Sequence, residues 1–164
     1  MRNKHLLLWS SLLTLALLGA AAVHENFFRE WRRVQAGASR PGAPAEIRLR
    51  QVYVPALGAA DRCVSCHVGM APGEQVVAGH KVLGPHPRVA HEPADMGCTI
   101  CHGGQGRATD RADAHGEAPH WPEPMLPRRY AYAGCGGCHT PVGVPDAARL
   151  AAGAAVFERH DCLA

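Results

Sequence analysis

The hydrophobic pattern at the start of the chain predicts one long apolar helix. After a short, positively charged start, the stretch from Leu6 to Val23 contains no charged residue. Its length lies at the border between a secretory signal and a membrane-spanning helix. The small residues around Ala22 would allow removal of a signal peptide, whereas an uncleaved helix would anchor the chain.

The sequence that follows favours the anchor. Residues 24–36 keep helical spacing and interleave Phe27, Phe28 and Trp31 with arginines, which predicts an amphipathic helix. Aromatic and arginine side chains just past an apolar run are typical of a membrane–water interface. We therefore expect residues 1–23 to form a signal-anchor helix that is kept, with a cleaved signal peptide as the alternative.

Residues 24–60 are expected to contain this juxtamembrane helix and then a linker. The linker covers residues 37–45, where Gly, Ala and Pro dominate. Residues 46–54 alternate polar and apolar side chains and predict a short strand, which Pro55 ends. The apolar face of this strand carries Ile47, Leu49 and Tyr53.

Apolar residues show no regular helical or strand spacing over most of residues 61–142. Large aliphatic side chains are few there, and residues 119–127 contain several prolines, which excludes a helix. Helical spacing returns after Asp146, a predicted N-cap for a helix that runs to about His160. The expected fold class is mainly irregular with short α-helices, preceded by one N-terminal transmembrane or signal helix.

The composition does not supply an ordinary hydrophobic core. Alanine provides much of the 47% hydrophobic fraction, and three residues each of Phe, Trp and Tyr stand against 18 Gly and 13 Pro. Such a chain cannot readily offset its conformational entropy by burying its own side chains. Another apolar group is therefore expected to complete the core.

One cysteine pattern occurs three times in the irregular region. The copies of Cys-x-x-Cys-His run from Cys63 to His67, from Cys98 to His102 and from Cys135 to His139. Two cysteines three positions apart on a helical turn lie on one face, and the imidazole that follows falls on the same side. This spacing permits two thioether bonds to one porphyrin edge and ligation of the iron, which is the attachment pattern of c-type haem.

Other chemistries explain the three copies less well. A Cys-x-x-Cys pair alone would suit zinc or a redox pair, but each pair here is followed directly by histidine, and seven cysteines cannot all form disulfides. We expect three covalently bound haem c groups that act as the core, so the chain without haem should be largely unfolded. The predicted attachment residues are Cys63, Cys66, Cys98, Cys101, Cys135 and Cys138, with His67, His102 and His139 as iron ligands.

Each iron needs a second axial ligand unless one position stays open. Of the 11 histidines, three belong to the motifs and three lie outside the haem region. The remaining five outnumber the three positions, which favours bis-histidine ligation, and methionine ligation would raise the reduction potential. The five histidines are His80, His86, His91, His115 and His120, and the rival methionines are Met70, Met96 and Met125.

Residues 143–164 suggest the beginning of a further domain. The predicted helix has an apolar stripe and leads to Cys162, which begins a fourth motif that the chain does not complete. We interpret this segment as the start of a truncated class I cytochrome c-like domain, in which Cys162 would carry a fourth haem only if the chain continued. The alternative is an ordinary surface helix with a leftover cysteine.

These features together resemble membrane-attached multihaem c-type cytochromes of bacterial respiratory chains, over roughly residues 24–164. The resemblance rests on the blocks 61–69, 85–91, 97–106 and 114–125 and on the third motif. It implies a multihaem fold with haems as its core over residues 61–142, followed by a class I domain whose end is missing here. Together with the surplus of histidines, it favours His86, His91 and His115 as distal ligands, ahead of His120 and then His80.

Electron transfer is the expected function, and the chain is not expected to be an enzyme. Closely spaced haems pass single electrons, and iron with both axial positions filled needs no substrate site. One alternative is a reductase with one open haem that acts on a small nitrogen oxyanion or a peroxide, and another is a structural or assembly subunit whose haems mainly hold the fold. Because c-type haem is attached outside the cytoplasm, we expect the periplasmic side of the inner membrane.

The expected partners are a membrane quinol-oxidising complex and a soluble periplasmic electron carrier. The formal net charge of +3 is small, and the basic residues are spread along the chain. This distribution gives no support to nucleic-acid binding, which usually requires a clustered basic surface.

Overall fold

The computed structural model describes residues 2–39, 46–140, 143–144 and 147–161. Its first element, α1, is an α-helix over Arg2–Phe27. The N-terminal helical stretch contains an 18-residue window with a mean hydropathy of 2.1, and none of that window is buried in the protein. The predicted apolar helix is therefore confirmed, with a length and composition that suit either a membrane anchor or a signal sequence.

A second helix, α2, spans Glu30–Ala38 and follows α1 after a short turn. The amphipathic helix predicted over residues 24–36 is thus divided between the end of α1 and α2. The buried face of α2 consists of Trp31, Gln35 and Ala38. Their spacing of three to four residues places them on one side of the helix, and that side packs against the first cysteine motif.

The strand predicted before the first motif exists, but it is shorter and pairs with a second strand. The two antiparallel strands are β1, Val52–Val54, and β2, Ala59–Asp61, with Val52 opposite Asp61. The first strand ends just before Pro55, as predicted, and a 3₁₀ turn over Pro55–Leu57 joins the two strands. Gly58 completes the connection with φ of 67°, a backbone conformation that glycine adopts at little cost.

The apolar face expected for this strand lies on the solvent side. Ile47, Leu49 and Tyr53 are 41%, 43% and 66% exposed, whereas Arg50 and Val52 are buried. Polar partners around the first motif hold Arg50 inward, as shown below. These hydrogen bonds outweigh the hydrophobic alternation, so the predicted orientation of the segment is wrong.

Short helical segments hold all three cysteine motifs, as predicted. The 3₁₀ segments are Cys63–Ser65, Val68–Met70 and Arg128–Gly137, and the α-helices are α3 (Pro93–Met96), α4 (Thr99–His102), α5 (Arg111–Ala114) and α6 (Ala147–Arg159). Residues 119–127 contain no helix, and α6 confirms the predicted C-terminal helix. The predicted N-cap Asp146, residues 40–45 of the predicted linker and Cys162 lie outside the described residues.

Buried hydrophobic side chains are few and lie mostly around the first motif. Among the described residues they are Trp31, Ala38, Val52, Ala59, Val64, Val68 and Leu83. Ala38, Val68 and Leu83 form one cluster, with Val77 and Val82 packed against it. The observed fold is a mixed helical one with a small two-stranded sheet and a long apolar N-terminal helix. The second and third motifs gain little from the burial of apolar side chains.

Candidate functional site

The helix α2 is joined to the first cysteine motif by one fully buried glutamine. The side-chain nitrogen of Gln35 donates hydrogen bonds to the carbonyl oxygens of Arg48 and Ser65 at 2.9 and 2.8 Å. Its side-chain oxygen accepts a hydrogen bond from the Arg48 backbone N–H at 3.0 Å. Because Ser65 lies between Cys63 and Cys66, this glutamine docks the helix that follows the apolar N-terminal segment directly on the motif.

The same motif is also held by Arg50, whose buried side chain forms an ion pair with the partly buried Glu74. The Ser65 hydroxyl accepts a hydrogen bond from the Arg50 N–H at 2.8 Å and donates one to the Arg50 carbonyl at 2.7 Å. The buried Arg50 guanidinium donates two hydrogen bonds to the Glu74 carboxylate, from Nε at 2.7 Å and from Nη2 at 3.1 Å. These hydrogen bonds hold the pKa of Glu74 below its ordinary value of 4.5. The first motif is therefore fixed mainly by polar contacts.

A second polar contact ties the beginning of α2 to α5. Arg29 forms an ion pair with Asp110, and the Glu30 N–H points at the same carboxylate. In return, the Glu30 carboxylate accepts a hydrogen bond from the Arg111 N–H at 2.8 Å. Each helix thus supplies an acceptor for the free N–H groups at the start of the other. This contact positions the segment that ends at His115.

Asp61 connects the first motif with the second. Its side chain is 1% exposed and lies at the end of β2, two residues before Cys63. The carboxylate accepts hydrogen bonds from the backbone N–H groups of Cys98 and Thr99 at 2.5 and 2.8 Å and from the Thr99 hydroxyl at 2.8 Å. One side chain therefore fixes where the helical turn of the second motif begins relative to the first motif.

The third motif packs on the second through backbone contact. A Cβ added to Gly134 would overlap the carbonyl oxygen of Cys101, so only glycine permits this approach. The proline-rich segment covers the other side of the second motif, since the Leu126 N–H donates to the His102 carbonyl at 2.7 Å. The Met125 N–H donates to the His115 carbonyl at 3.0 Å. The three motifs are therefore consecutive neighbours in space.

The motif cysteines are free thiols, and two of them from different motifs touch. A hydrogen bond between Cys63 and Cys98 raises the pKa of Cys98 and lowers that of Cys63, and the Asp61 carboxylate opposes ionisation of both. Burial raises the pKa of Cys66 to about 11, and burial also raises the pKa of Cys101. The contact between the two thiols means that groups attached to the first and second motifs would be close together.

Two motif histidines lie against two of the predicted distal histidines. The ring centroids of His86 and His102 are 6.1 Å apart, and the ring planes are inclined by 65°. The ring centroids of His91 and His139 are 5.8 Å apart, and the planes are inclined by 17°. Each pair therefore joins a motif histidine to a histidine from the irregular segment between the first and second motifs.

The first motif histidine also has histidine neighbours. Burial lowers the pKa of His67, and the nearby His115 and His102 lower it further. Burial and then the nearby His86 lower the pKa of His102. The Nδ1 atom of His102 is buried and has no hydrogen-bond partner among the described residues, which is rare for a buried polar atom. This nitrogen needs a partner that the surrounding side chains do not supply.

The two lower-ranked histidines are placed differently. The Nδ1 atom of His80 accepts hydrogen bonds from the N–H groups of Val82 and Leu83 at 3.1 and 3.0 Å, so this ring stabilises its own turn. His120 is exposed and has a positive φ of 65°. In the part of the chain that the structure describes, neither ring pairs with a motif histidine.

Within the described ranges, no group of three or more His, Cys, Asp or Glu side chains is arranged to hold a metal ion. A haem iron takes four ligands from the porphyrin and only two from the protein. A haem site would therefore show a pair of imidazoles and not a cluster of three or more protein ligands.

Several residues that build this site were not predicted from the sequence, namely Gln35, Arg50, Asp61, Glu74 and Gly134. Their partners are distant along the chain, so no local motif identifies them. The position of Asp61 just before the first motif is the only sequence signal among them. No family model, curated protein or solved structure matches the chain. The functional interpretation therefore rests on the residues and their geometry.

Proposed function

We propose that the chain binds three haem c groups, one at each Cys-x-x-Cys-His motif, and transfers single electrons among them. The observation that carries the proposal is the arrangement of histidines. His102 and His139 pair with His86 and His91 of the predicted distal set, and His115 is near enough to His67 to help lower its pKa. An iron held by two imidazoles has no open position for a substrate, so the protein acts as an electron carrier and not as an enzyme.

The spacing of the two measured pairs supports this proposal. If two imidazoles bound one iron with metal–nitrogen distances like the roughly 2.0–2.1 Å of zinc sites, their ring centroids would lie roughly 6 Å apart. The distances for His86–His102 and His91–His139 are 6.1 and 5.8 Å. Aromatic rings also pair at about 4.5–7 Å without a metal, but here both pairs contain a motif histidine.

The residues of the chain have distinct roles in this proposal. Cys63, Cys66, Cys98, Cys101, Cys135 and Cys138 hold the haems through thioether bonds, and the ligand pairs are His67 with His115, His102 with His86, and His139 with His91. When bound, each haem supplies a reversible one-electron iron couple. Gln35, Arg50 and Asp61 keep the attachment turns in place, and the haem plates complete a core that the side chains leave small.

The arrangement also supports an order of the three sites relative to the membrane. The apolar N-terminal helix leads into α2, which docks on the first motif through Gln35. His91 and His139 of the third pair are exposed. We therefore propose that the first haem exchanges electrons with a membrane quinol-oxidising complex and that the third exchanges them with a soluble periplasmic carrier. Covalent haem attachment outside the cytoplasm favours the periplasmic side of the inner membrane.

This proposal agrees with the resemblance to membrane-attached multihaem cytochromes of bacterial respiratory chains. In that interpretation, α6 opens a class I cytochrome c-like domain, and a fourth haem at Cys162 requires additional chain. The amphipathic stripe of α6 supports the interpretation, because its apolar side carries Leu150 and Phe157 and lines an apolar groove with Tyr130 and Tyr132.

The decisive experiment is expression of the full chain in a host with active cytochrome c maturation. We expect a coloured membrane protein with three haems per chain in the pyridine haemochrome assay and with low-spin spectra that cyanide does not change. The control is a double variant, Cys98→Ala with Cys101→Ala, which should lose one haem of the three. Colourless wild-type protein would contradict the proposal. A high-spin fraction that binds cyanide would favour instead a reductase acting on a small nitrogen oxyanion or a peroxide.

A further inference from the structure

Asp61 is a buried carboxylate whose hydrogen bonds all reach into the second motif. Its acceptor oxygens bind two backbone N–H groups and the hydroxyl of Thr99. These three donors are uncharged. In all three contacts the side chain acts as an acceptor, which is the role of an aspartate carboxylate. A fixed negative charge therefore lies between the first two motifs.

The chain around Asp61 leaves just enough room for this carboxylate. A Cβ at Gly97, where φ is 82°, would lie 2.8 Å from one carboxylate oxygen. A Cβ at Gly106 would overlap the other oxygen. The Arg62 N–H donates to the Gly106 carbonyl at 2.6 Å, so the backbone next to Asp61 is also attached to the far end of the second motif loop. The loop thus encloses the carboxylate on both sides.

The second attachment turn depends on this distant acceptor. The helix α4 is a single turn, and its N-cap residue Cys98 makes no side-chain capping bond of its own. A helix start without an acceptor leaves several N–H groups unpaired, and a single turn is not stable alone. Asp61 supplies the missing acceptor from β2, and β2 leads directly into the first motif. The two attachment turns are therefore oriented by one side chain.

We propose that Asp61 is a positioning residue shared by the first two haem sites and that its charge lowers the reduction potentials of both haems. This inference rests on the proposed haem attachment. A nearby negative charge stabilises the ferric state, which carries one more positive charge than the ferrous state. The carboxylate accepts a hydrogen bond from the Cys98 N–H and lies two residues before Cys63, whereas the third motif packs on the far end of the second, against Cys101.

Asp61→Asn separates charge from shape. Asparagine can accept the two N–H bonds with its oxygen and donate its amide to the Thr99 hydroxyl, so the turn keeps its hydrogen bonds while the charge is lost. In a spectroscopic redox titration, we expect the equilibrium constant for reduction of two of the three haems to rise about tenfold. This corresponds to a rise in reduction potential of about 59 mV for one electron. The third haem should be unchanged. Variants at His86 and His91 each change one haem, so they show which step of the titration belongs to which haem.

Two further variants complete the test. Asp95→Asn removes a charge from the exposed surface near the same motif and should leave all three potentials unchanged. Asp61→Ala removes the hydrogen bonds as well, and we expect it to lower haem attachment at Cys98 and Cys101 selectively. If Asp61→Asn itself retains only two haems, the first haem must still show the rise in potential.

Each outcome decides the question. Three haems in Asp61→Asn with unchanged potentials, or with equal shifts of all three, would overturn the shared role of Asp61. Failure of the proposed haem attachment is recognised separately, because the wild-type protein would then carry no haem and could not be titrated. A rise confined to two haems, together with unchanged potentials in Asp95→Asn, would support the inference.

Discussion

His91 and His139 face each other with ring centroids 5.8 Å apart, although no helix or strand is shared by the segments that carry them. His91 lies in the irregular stretch before α3, and His139 follows the 3₁₀ helix Arg128–Gly137. Both residues are exposed, so burial of apolar surface does not explain their approach. Ligation of one iron by both imidazoles would explain it.

In the haem-loaded protein that we propose, replacing His91 by alanine should change the third haem alone. We expect three haems to remain attached, because Cys135 and Cys138 are intact, and one of them to become high spin and bind cyanide. Electron paramagnetic resonance and optical spectra measure this fraction. The matched control is His120→Ala, which removes an exposed histidine that was ranked lower as a ligand. If the control produces the high-spin fraction and His91→Ala does not, the assigned pairing is wrong.

Replacing Gly134 by alanine should push the third motif away from the second. The added Cβ would overlap the Cys101 carbonyl oxygen, and overpacking of this kind costs about 1–3 kcal/mol of unfolding free energy. Gly136→Ala is the control, because nothing lies within 4 Å of its added Cβ. Urea unfolding of the haem-loaded chain in detergent measures both variants. Equal stability of the two would show that the contact between the motifs is not tight.

Replacing Gln35 by alanine should loosen α2 from the first motif. The change leaves the buried Ser65 carbonyl and the partly buried backbone groups of Arg48 without their hydrogen-bond partner, which costs about 1–3 kcal/mol. Limited proteolysis after α2, together with urea unfolding, measures the effect. Gln51→Ala removes an exposed glutamine and should change stability by less than about 0.5 kcal/mol. Comparable sensitivity of the two variants would count against the docking role of Gln35.

Replacing Glu74 by glutamine should remove part of the pH dependence of stability. The hydrogen bonds from Arg50 lower the pKa of Glu74 in the folded state below 4.5. The ion pair therefore stabilises the fold fully above this value and progressively less as the pH falls through the lowered pKa. We expect Glu74→Gln to lose about 2 kcal/mol at neutral pH and to approach the stability of the wild type as the pH falls through the lowered pKa of Glu74.

The control for this prediction is Glu46→Gln. The Glu46 side chain is 74% exposed and pairs with Arg48 at 2.9 Å, and exposed ion pairs contribute little. Urea unfolding at a series of pH values compares the two variants. A constant difference between Glu74→Gln and wild type at every pH would show that the charge of Glu74 is not involved.

The elements that were predicted correctly depend on neighbouring residues in the sequence. The apolar run that forms α1, the spacing that forms α6 and the prolines that prevent a helix over residues 119–127 all act locally. The strand before the first motif was predicted with the wrong orientation. Its alternating pattern indicated an apolar face, but the buried Arg50 turns the opposite side inward through contacts with Ser65 and Glu74.

The sequence by itself determined the apolar N-terminal helix and the three Cys-x-x-Cys-His motifs, because hydropathy and the spacing of two cysteines and a histidine are properties of short segments. Only the tertiary structure decided which histidine lies opposite which motif and that Asp61 links two of them. These relationships join residues from separate loops. In a chain with so few buried apolar side chains, long-range hydrogen bonds and backbone packing decide where those loops meet, and no local pattern encodes them.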